Sequence, residues 1–201
     1  MSKWMYERQR DYYFREAKRE GYRSRAAYKL KQINDRYHLI HRGDVVVDLG
    51  CAPGSWSQVA AELVGPEGTV IGIDLEPVEP IPGVAILQGD MLKADIVAAL
   101  EEVLAGRQAN VLLSDMSPKT SGSRLRDHLR SMALAEAALD FARHHLHPGG
   151  NLVLKVFEGG ALAEFVSEVR SLFQFCKPHA PPASRKESSE TYVIGRGFHS
   201  T

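Results

Sequence analysis

The apolar rhythm of the chain changes at about residue 43. Before that point, Ser24 to Ile40 carries Ala27, Leu30, Ile33 and Tyr37 at helical spacing, with Ser24 placed to cap the first turn. Lys29 lies beside that stripe, where its ammonium can reach back toward the rest of the chain. His41-Arg42-Gly43-Asp44 closes the segment with turn residues. From Val45 onward, short apolar runs alternate with longer amphipathic ones. Val45 to Leu49 is continuous, largely β-branched and bounded by Gly50, the pattern of a buried strand. Trp56, Val59, Ala60, Leu63 and Val64 then follow a helical period that stops at Gly65-Pro66.

The same reading predicts strands at Thr69–Ile73, Val84–Leu87 and Asn110–Leu113, with a helix over Ala94–Leu104. A helix from about Asp127 to Leu146 is expected to end at Pro148-Gly149-Gly150, followed by a strand over Asn151–Phe157. Ala161–Leu172 reads as a helix with Leu162, Phe165, Val166 and Val169 on one face. Phe173–Lys177 and Thr191–Arg196 complete seven strands, flanking a polar loop from His179 to Glu190 whose Pro178–Pro182 portion reads as mobile. Strands and helices alternating at these lengths imply an α/β fold on a mostly parallel sheet.

At 201 residues, with 44% hydrophobic and 25% charged positions, the chain has the size and composition of one folded domain. A disordered tail, a collagen-like repeat and a disulfide mini-scaffold are thereby excluded. Cys51 and Cys176 form no disulfide framework and no metal-ligand spacing, which points to a reducing compartment. No apolar run approaches the ~18 residues of a membrane span, and the N-terminus lacks the apolar region of a secretory signal. A cytoplasmic location is expected.

The formal net charge of zero conceals an asymmetry. Residues 1–42 hold 12 Lys+Arg against 5 Asp+Glu, while residues 43–201 hold 13 against 20. Eight of the sixteen aromatic residues also lie in the first 42 positions. The division expected is therefore a basic N-terminal arm, 1–42, on an acidic body, 43–201. Such a dipole suits either a polyanion partner or an ordinary solvated helix.

Ligands of a doubly wound sheet bind beyond the carboxyl ends of the strands, where strand order reverses. The first strand runs into Asp48-Leu49-Gly50-Cys51-Ala52-Pro53-Gly54-Ser55-Trp56. This is neither G-x-G-x-x-G nor a Walker loop. A D-x-G-x-x-x-G turn without phosphate-cradling glycines suits a nucleoside-containing cofactor that lacks a pyrophosphate. The second strand leads to Asp74, where a carboxylate accepts hydrogen bonds from both hydroxyls of a ribose. The third leads to Asp90, within reach of an adenine amino group. Three such features in register at successive strand ends are far more specific than any one alone.

The turn at Asp48 to Gln58 resembles the S-adenosylmethionine motif of the FtsJ/RrmJ (RlmE) family of ribose 2′-O-methyltransferases. Ser114-Asp115-Met116-Ser117-Pro118, Leu154-Lys155-Val156-Phe157 and Ser184-Arg185-Lys186 with Glu190-Thr191-Tyr192 are similar to later motifs of that family. Arg23-Ser24-Arg25-Ala26-Ala27-Tyr28-Lys29-Leu30 is similar to an early one. The resemblance runs from about Tyr12 to Arg196. It departs from the usual pattern at Cys51 and Ser55, where Ala and Gly are typical, and at Ser189, where many members have Arg.

This resemblance implies a Rossmann-like methyltransferase fold and a Lys-Asp-Lys-Glu tetrad carried by Lys29, Asp115, Lys155 and Glu190. It implies cofactor contacts from Gly54, Trp56, Asp74, Asp90 and Asp115, with Trp56 equally suited to the core. The cofactor would be S-adenosyl-L-methionine, the product S-adenosyl-L-homocysteine, and no metal is expected. The substrate implied is a uridine ribose of large-subunit (23S) ribosomal RNA, methylated late, on the assembled 50S subunit. The compact length looks like the bacterial form, and a monomer is expected. The chemistry gives an independent reason for these residue types. A ribose hydroxyl is a poor nucleophile, so the protein must align it with the methyl and accept or stabilise its proton. Lys155 is the natural group for that task. The basic, aromatic arm would then hold phosphates and stack on bases while delivering Lys29.

Rival chemistries lack their signatures. The Asn/Asp-Pro-Pro-aromatic loop of enzymes that methylate exocyclic base amines is absent, and no Pro-Cys pair follows the fourth strand. A ribosome-assembly factor of the same fold, with methylation secondary, stays open as the alternative. His144-His145-x-His147 sits at a helix C-terminus, where imidazolium complements the dipole, rather than in a metal-ligand pattern. Lys119, Arg124, Arg126 and Arg130 follow the Asp115 loop and suit an RNA path or a solvated face equally.

Overall fold

A computed structural model describes residues 12–184 and 189–199. Residues 12–19 are helical. They precede α1 (Ala26–Tyr37), β1 (Val45–Leu49), α2 (Ser55–Val64), β2 (Thr69–Asp74), β3 (Val84–Gln88), α3 (Ala94–Leu104) and β4 (Ala109–Ser114). Then come α4 (Arg124–His145), β5 (Leu146–Phe157), α5 (Leu162–Leu172), β6 (Phe173–His179) and β7 (Glu190–Phe198). The seven strands form one sheet in the order β3-β2-β1-β4-β5-β7-β6, with β7 antiparallel to both its neighbours. It is the mostly parallel sheet that the alternating pattern implies, and strand order reverses between β1 and β4.

Successive strand residues point to opposite faces, and each face carries its own core. Val45, Val47 and Leu49 meet Leu100 of α3, Leu139 of α4 and Phe165 of α5 on one side. Val46, Val70, Val111 and Val153 meet Leu30 and Ile33 of α1 and Val59 and Ala60 of α2 on the other. All five residues of β1 are buried, which accounts for its unbroken apolar run.

The segment expected as an arm joins this second core. Ala17, Tyr22, Ala27, Leu30, Ile33, Tyr37, Leu39 and Ile40 are all buried in it, while residues 1–11 lie outside the described set. Tyr22 and Tyr37 are thus partly structural: the Tyr22 hydroxyl donates to Glu62 at 2.6 Å, and Tyr13 stacks against Tyr28. Tyr12 and Phe14 are the large exposed aromatic residues of the described part of this segment.

Three local expectations change. Helix α1 ends at Tyr37 rather than Ile40, because His38 takes a left-handed conformation and Asn34 Oδ1 accepts from the amides of Leu39 and Ile40. Pro148-Gly149-Gly150 lies inside β5, whose pairing with β4 shifts register between Ala109 and Val111. Residues 147–150 stand opposite Asn110 alone there, an irregularity in which Gly149 takes a left-handed φ of 85°. The Pro178–Pro182 loop is also anchored: β6 runs on to His179, and the Ala183 amide donates to Gln32 Oε1 at 2.8 Å.

Candidate active site

Pairing between β5 and β7 sets Lys155 opposite Tyr192 and Phe157 opposite Glu190. Residues two apart on a strand share a face, so Lys155, Glu190 and Tyr192 all point toward the side covered by α1. Lys29, one turn from Ile33 on α1, comes down on them. Its Nζ donates to Glu190 Oε2 at 2.8 Å and lies 5.7 Å from the centre of the Tyr192 ring.

Asp115 follows β4 directly, and because Ser114 pairs with Leu154 it stands beside Lys155. Lys155 Nζ is 3.2 Å from Asp115 Oδ1 and 3.9 Å from Glu190 Oε1, and it also donates to the Asp115 carbonyl. Lys29 and Lys155 are only 6% and 7% exposed. Burying two cations is costly unless each is paired and hydrogen-bonded, and the two carboxylates meet that demand. The four residues expected as a tetrad therefore form one contiguous cluster, although they come from α1, β5, β7 and the end of β4.

Tyr192, which sequence reasoning quoted in a motif but gave no role, belongs to the same cluster. Its hydroxyl donates to Asp115 Oδ1 at 2.8 Å, and its ring packs 5.6 Å from that of Trp56. Burial and the adjacent Asp115 charge push the phenol well above its ordinary value, so it stays a donor.

The turn from β1 into α2 adjoins this cluster. A shallow cleft, open to solvent, is lined by Ser24, Asp48, Gly50, Ser55, Trp56 and Asp115 among others. Gly50 and Gly54 both have positive φ, at 70° and 107°. A β-carbon at Gly50 would lie 2.3 Å from Met116, and one at Gly54 2.5 Å from Ile81. Glycine is needed at both for conformation and for space. Trp56 is 2% exposed, lines the cleft, and donates from Nε1 to the Ala26 carbonyl at 2.9 Å. Trp56 thus belongs to the core and also forms part of the cleft wall.

Asp74 lies at the end of β2, with Oδ2 accepting from the Ala52 amide and Oδ1 from the Glu76 amide, each at 2.8 Å. Each oxygen retains an acceptor site for a diol. Asp90 follows β3 and accepts from the Leu92 amide at 3.0 Å. It stands at the same sheet edge but makes no bond to the tetrad.

Asp48 was assigned no role by sequence reasoning. It is fully buried, with Oδ2 accepting from Ser57 at 2.6 Å and Oδ1 without a partner. Burial first, and then the charges of Asp115 and Asp74, push its carboxyl up to about 7. The one available signal was a carboxylate interrupting an apolar strand. Neighbouring Cys51 is no nucleophile, since burial pushes its thiol up to about 12.

Other expectations resolve locally. His144 Nδ1 contacts the Asp140 carbonyl at 2.9 Å, and His145 stacks on Phe141 at 4.3 Å. Burial, and then the neighbouring His144, lower the His145 pKa, which weakens its complement to the helix dipole. Lys119, Arg124, Arg126 and Arg130 are exposed. Arg185 and Lys186 lie outside the described residues. Among the described residues, no helix is long and apolar enough to cross a membrane.

A family model of FtsJ-like methyltransferases matches residues 22–198. The chain belongs to that family. As an FtsJ-like methyltransferase it is 50% identical over 188 residues to a Methanothrix thermoacetophila protein named ribosomal RNA large subunit methyltransferase E, covering 94% of this chain and 72% of that one. An Azoarcus protein of the same name is 47% identical over 192 residues, covering 96% and 94% of the two chains. A Plasmodium falciparum structure assigned as a ribosomal RNA methyltransferase superposes with a TM-score of 0.80 at 30% identity, covering 88% of this chain and 98% of its own. The seven-stranded Rossmann-like architecture is shared with that structure.

Proposed function

We propose that this FtsJ-like methyltransferase uses S-adenosylmethionine to methylate the 2′-oxygen of a uridine ribose in large-subunit ribosomal RNA, on the assembled 50S subunit in the cytoplasm. The observation that carries the reading is the Lys29–Glu190–Lys155–Asp115 cluster beside the glycine turn at the switch point of the sheet. The names of the relatives support ribosomal RNA of the large subunit as substrate.

The residues present fit the cofactor. Asp74 would hold the ribose hydroxyls, Asp90 the adenine amino group, and Gly54, Trp56 and Asp115 the remainder. Bound there, S-adenosylmethionine supplies a methyl already activated on a sulfonium sulfur. The task left to the chain is to bring the hydroxyl into line and manage its proton. Lys155 Nζ, fixed by Asp115 Oδ1 and by the Asp115 carbonyl, would orient the 2′-oxygen, stabilising the alkoxide as an ammonium or taking the hydroxyl proton as a neutral amine. Glu190, held by Lys29, keeps a second carboxylate against that ammonium. Tyr192 fixes the Asp115 oxygen that Lys155 shares.

The test offers labelled S-adenosylmethionine with three acceptors: 50S subunits from a methylation-deficient strain, naked large-subunit RNA, and protein. Label in the RNA of subunits alone, or far faster there than in naked RNA, is expected. Equal labelling of naked RNA would move the reaction ahead of assembly, and no labelling of any RNA would remove the enzyme reading in favour of an assembly factor.

A further inference from the structure

Arg23 stands six residues before Lys29, in the Arg23–Leu30 motif. Its guanidinium donates to three carbonyls on two separate stretches of main chain. Nη1 donates to the carbonyls of Pro53 and Glu79, each at 2.8 Å, and Nη2 to that of Pro80 at 2.9 Å. Pro53 belongs to the glycine turn after β1. Glu79 and Pro80 belong to the loop that leaves β2 just after Asp74.

The surrounding contacts make this a fixed arrangement. The Arg23 amide donates to Gln58 Oε1 at 3.0 Å, and Gln58 Nε2 returns a bond to the Gly21 carbonyl, also at 3.0 Å. Ser55 Oγ donates to Ser24 Oγ at 2.8 Å. The space for the guanidinium exists because residue 54 is glycine: a β-carbon there would lie 2.9 Å from Arg23 Nη1. Leu75, Glu76, Pro77, Glu79 and Pro80 of the loop it grips are exposed, so apart from buried Ile81 and half-buried Val78 these hydrogen bonds are what ties it to the glycine turn.

We propose that Arg23 is a positioning residue for the cofactor: its guanidinium holds the 75–82 loop and the glycine turn at the separation that the nucleoside half of S-adenosylmethionine requires. This rests on the cofactor reading above. Asp74 lies between the two gripped stretches, bonded to Ala52 on one side and Glu76 on the other. Releasing the loop would loosen the carboxylate proposed to meet the ribose. A planar fork is suited to three carbonyls from different directions, whereas a lysine ammonium on a flexible stem reaches one or two.

Arg23→Lys and Arg23→Ala test the role, using S-adenosylmethionine and S-adenosylhomocysteine as the probes. Calorimetric Kd and the KM for S-adenosylmethionine should rise about tenfold in both variants, the loss expected when such hydrogen bonds go. The kcat at saturating cofactor and the KM for RNA should stay within about twofold. Amide exchange across residues 75–82 should quicken. Arg23→Lys keeps the charge, so it supplies folded protein should the alanine variant not fold. A lowered melting temperature with cofactor Kd unchanged in Arg23→Lys would overturn the proposal and leave Arg23 a structural brace. Wild-type protein that binds neither probe would overturn the cofactor reading, and this role with it. Tight binding by wild type and variant alike would overturn this role alone.

Discussion

Lys29 and Glu190 lie 161 positions apart in the chain and meet at 2.8 Å. The contact ties α1 to β7, the last strand in the chain, and it does so at the edge of the site rather than in either core. Lys29 is 6% exposed, so the carboxylate is its main compensation for lost hydration. Glu190→Gln should therefore cost about 1–3 kcal/mol of stability, read by urea denaturation. It should also lower kcat, because the second carboxylate facing Lys155 is lost with it. Unchanged stability would mean that Lys29 finds another partner.

Lys155 is held by one side chain and one main-chain carbonyl of Asp115. Lys155→Ala should reduce methyl transfer by about 10²–10⁴-fold, the range for losing a positioned proton-transfer group. Cofactor Kd and subunit binding should remain near wild type. Single-turnover assays with pre-bound subunits separate the two effects, and a loss that appears only in binding would contradict the assignment.

Tyr192→Phe keeps the ring against Trp56 and removes only the hydroxyl that donates to Asp115 at 2.8 Å. The expected cost is about 1 kcal/mol of stability, with a several-fold drop in kcat and no change in cofactor KM. Loss of cofactor binding instead would place the hydroxyl's role in the cleft wall.

Asp48 predicts a pH dependence. Its carboxyl titrates at about 7 in the fold, above the ~3.9 of an unfolded aspartate. The folded state therefore holds a proton that the unfolded state gives up. That contribution to stability is complete below the unfolded value and is lost as pH rises through about 7. Asp48→Asn removes the titration. Stability of the cofactor-free protein relative to Asp48→Asn should fall from pH 4 to pH 8, measured by denaturant titration at several pH values. Parallel profiles would show that Asp48 is ionised in the fold.

Much of the architecture is legible in the chain, for physical reasons that differ by element. β1 is recognisable because a strand buried on both faces must be apolar throughout, and α2 because one face must repeat at the helical period. Its end at Gly65 is a matter of local chemistry. The end of α1 at Tyr37 was not, since it depends on the Asn34 side chain meeting two amides beyond the helix. The irregularity at Pro148-Gly149-Gly150 depends on register with β4, a property of two strands.

The site divides in the same way. Lys29, Asp115, Lys155 and Glu190 could be named because their motif is specific, but their convergence follows from the antiparallel pairing that sets Phe157 against Glu190. Asp48 escaped because a missing partner is visible only in three dimensions, and Arg23 because its partners are carbonyls, which any residue supplies.

The central claim is the atom that receives the methyl. The most direct measurement is to methylate 50S subunits from a deficient strain, digest the RNA to nucleosides and locate the label by mass. The account predicts a single 2′-O-methyluridine, resistant to alkaline cleavage and absent with Lys155→Ala. A methyl on a base, or on the ribose of another nucleoside, would contradict it.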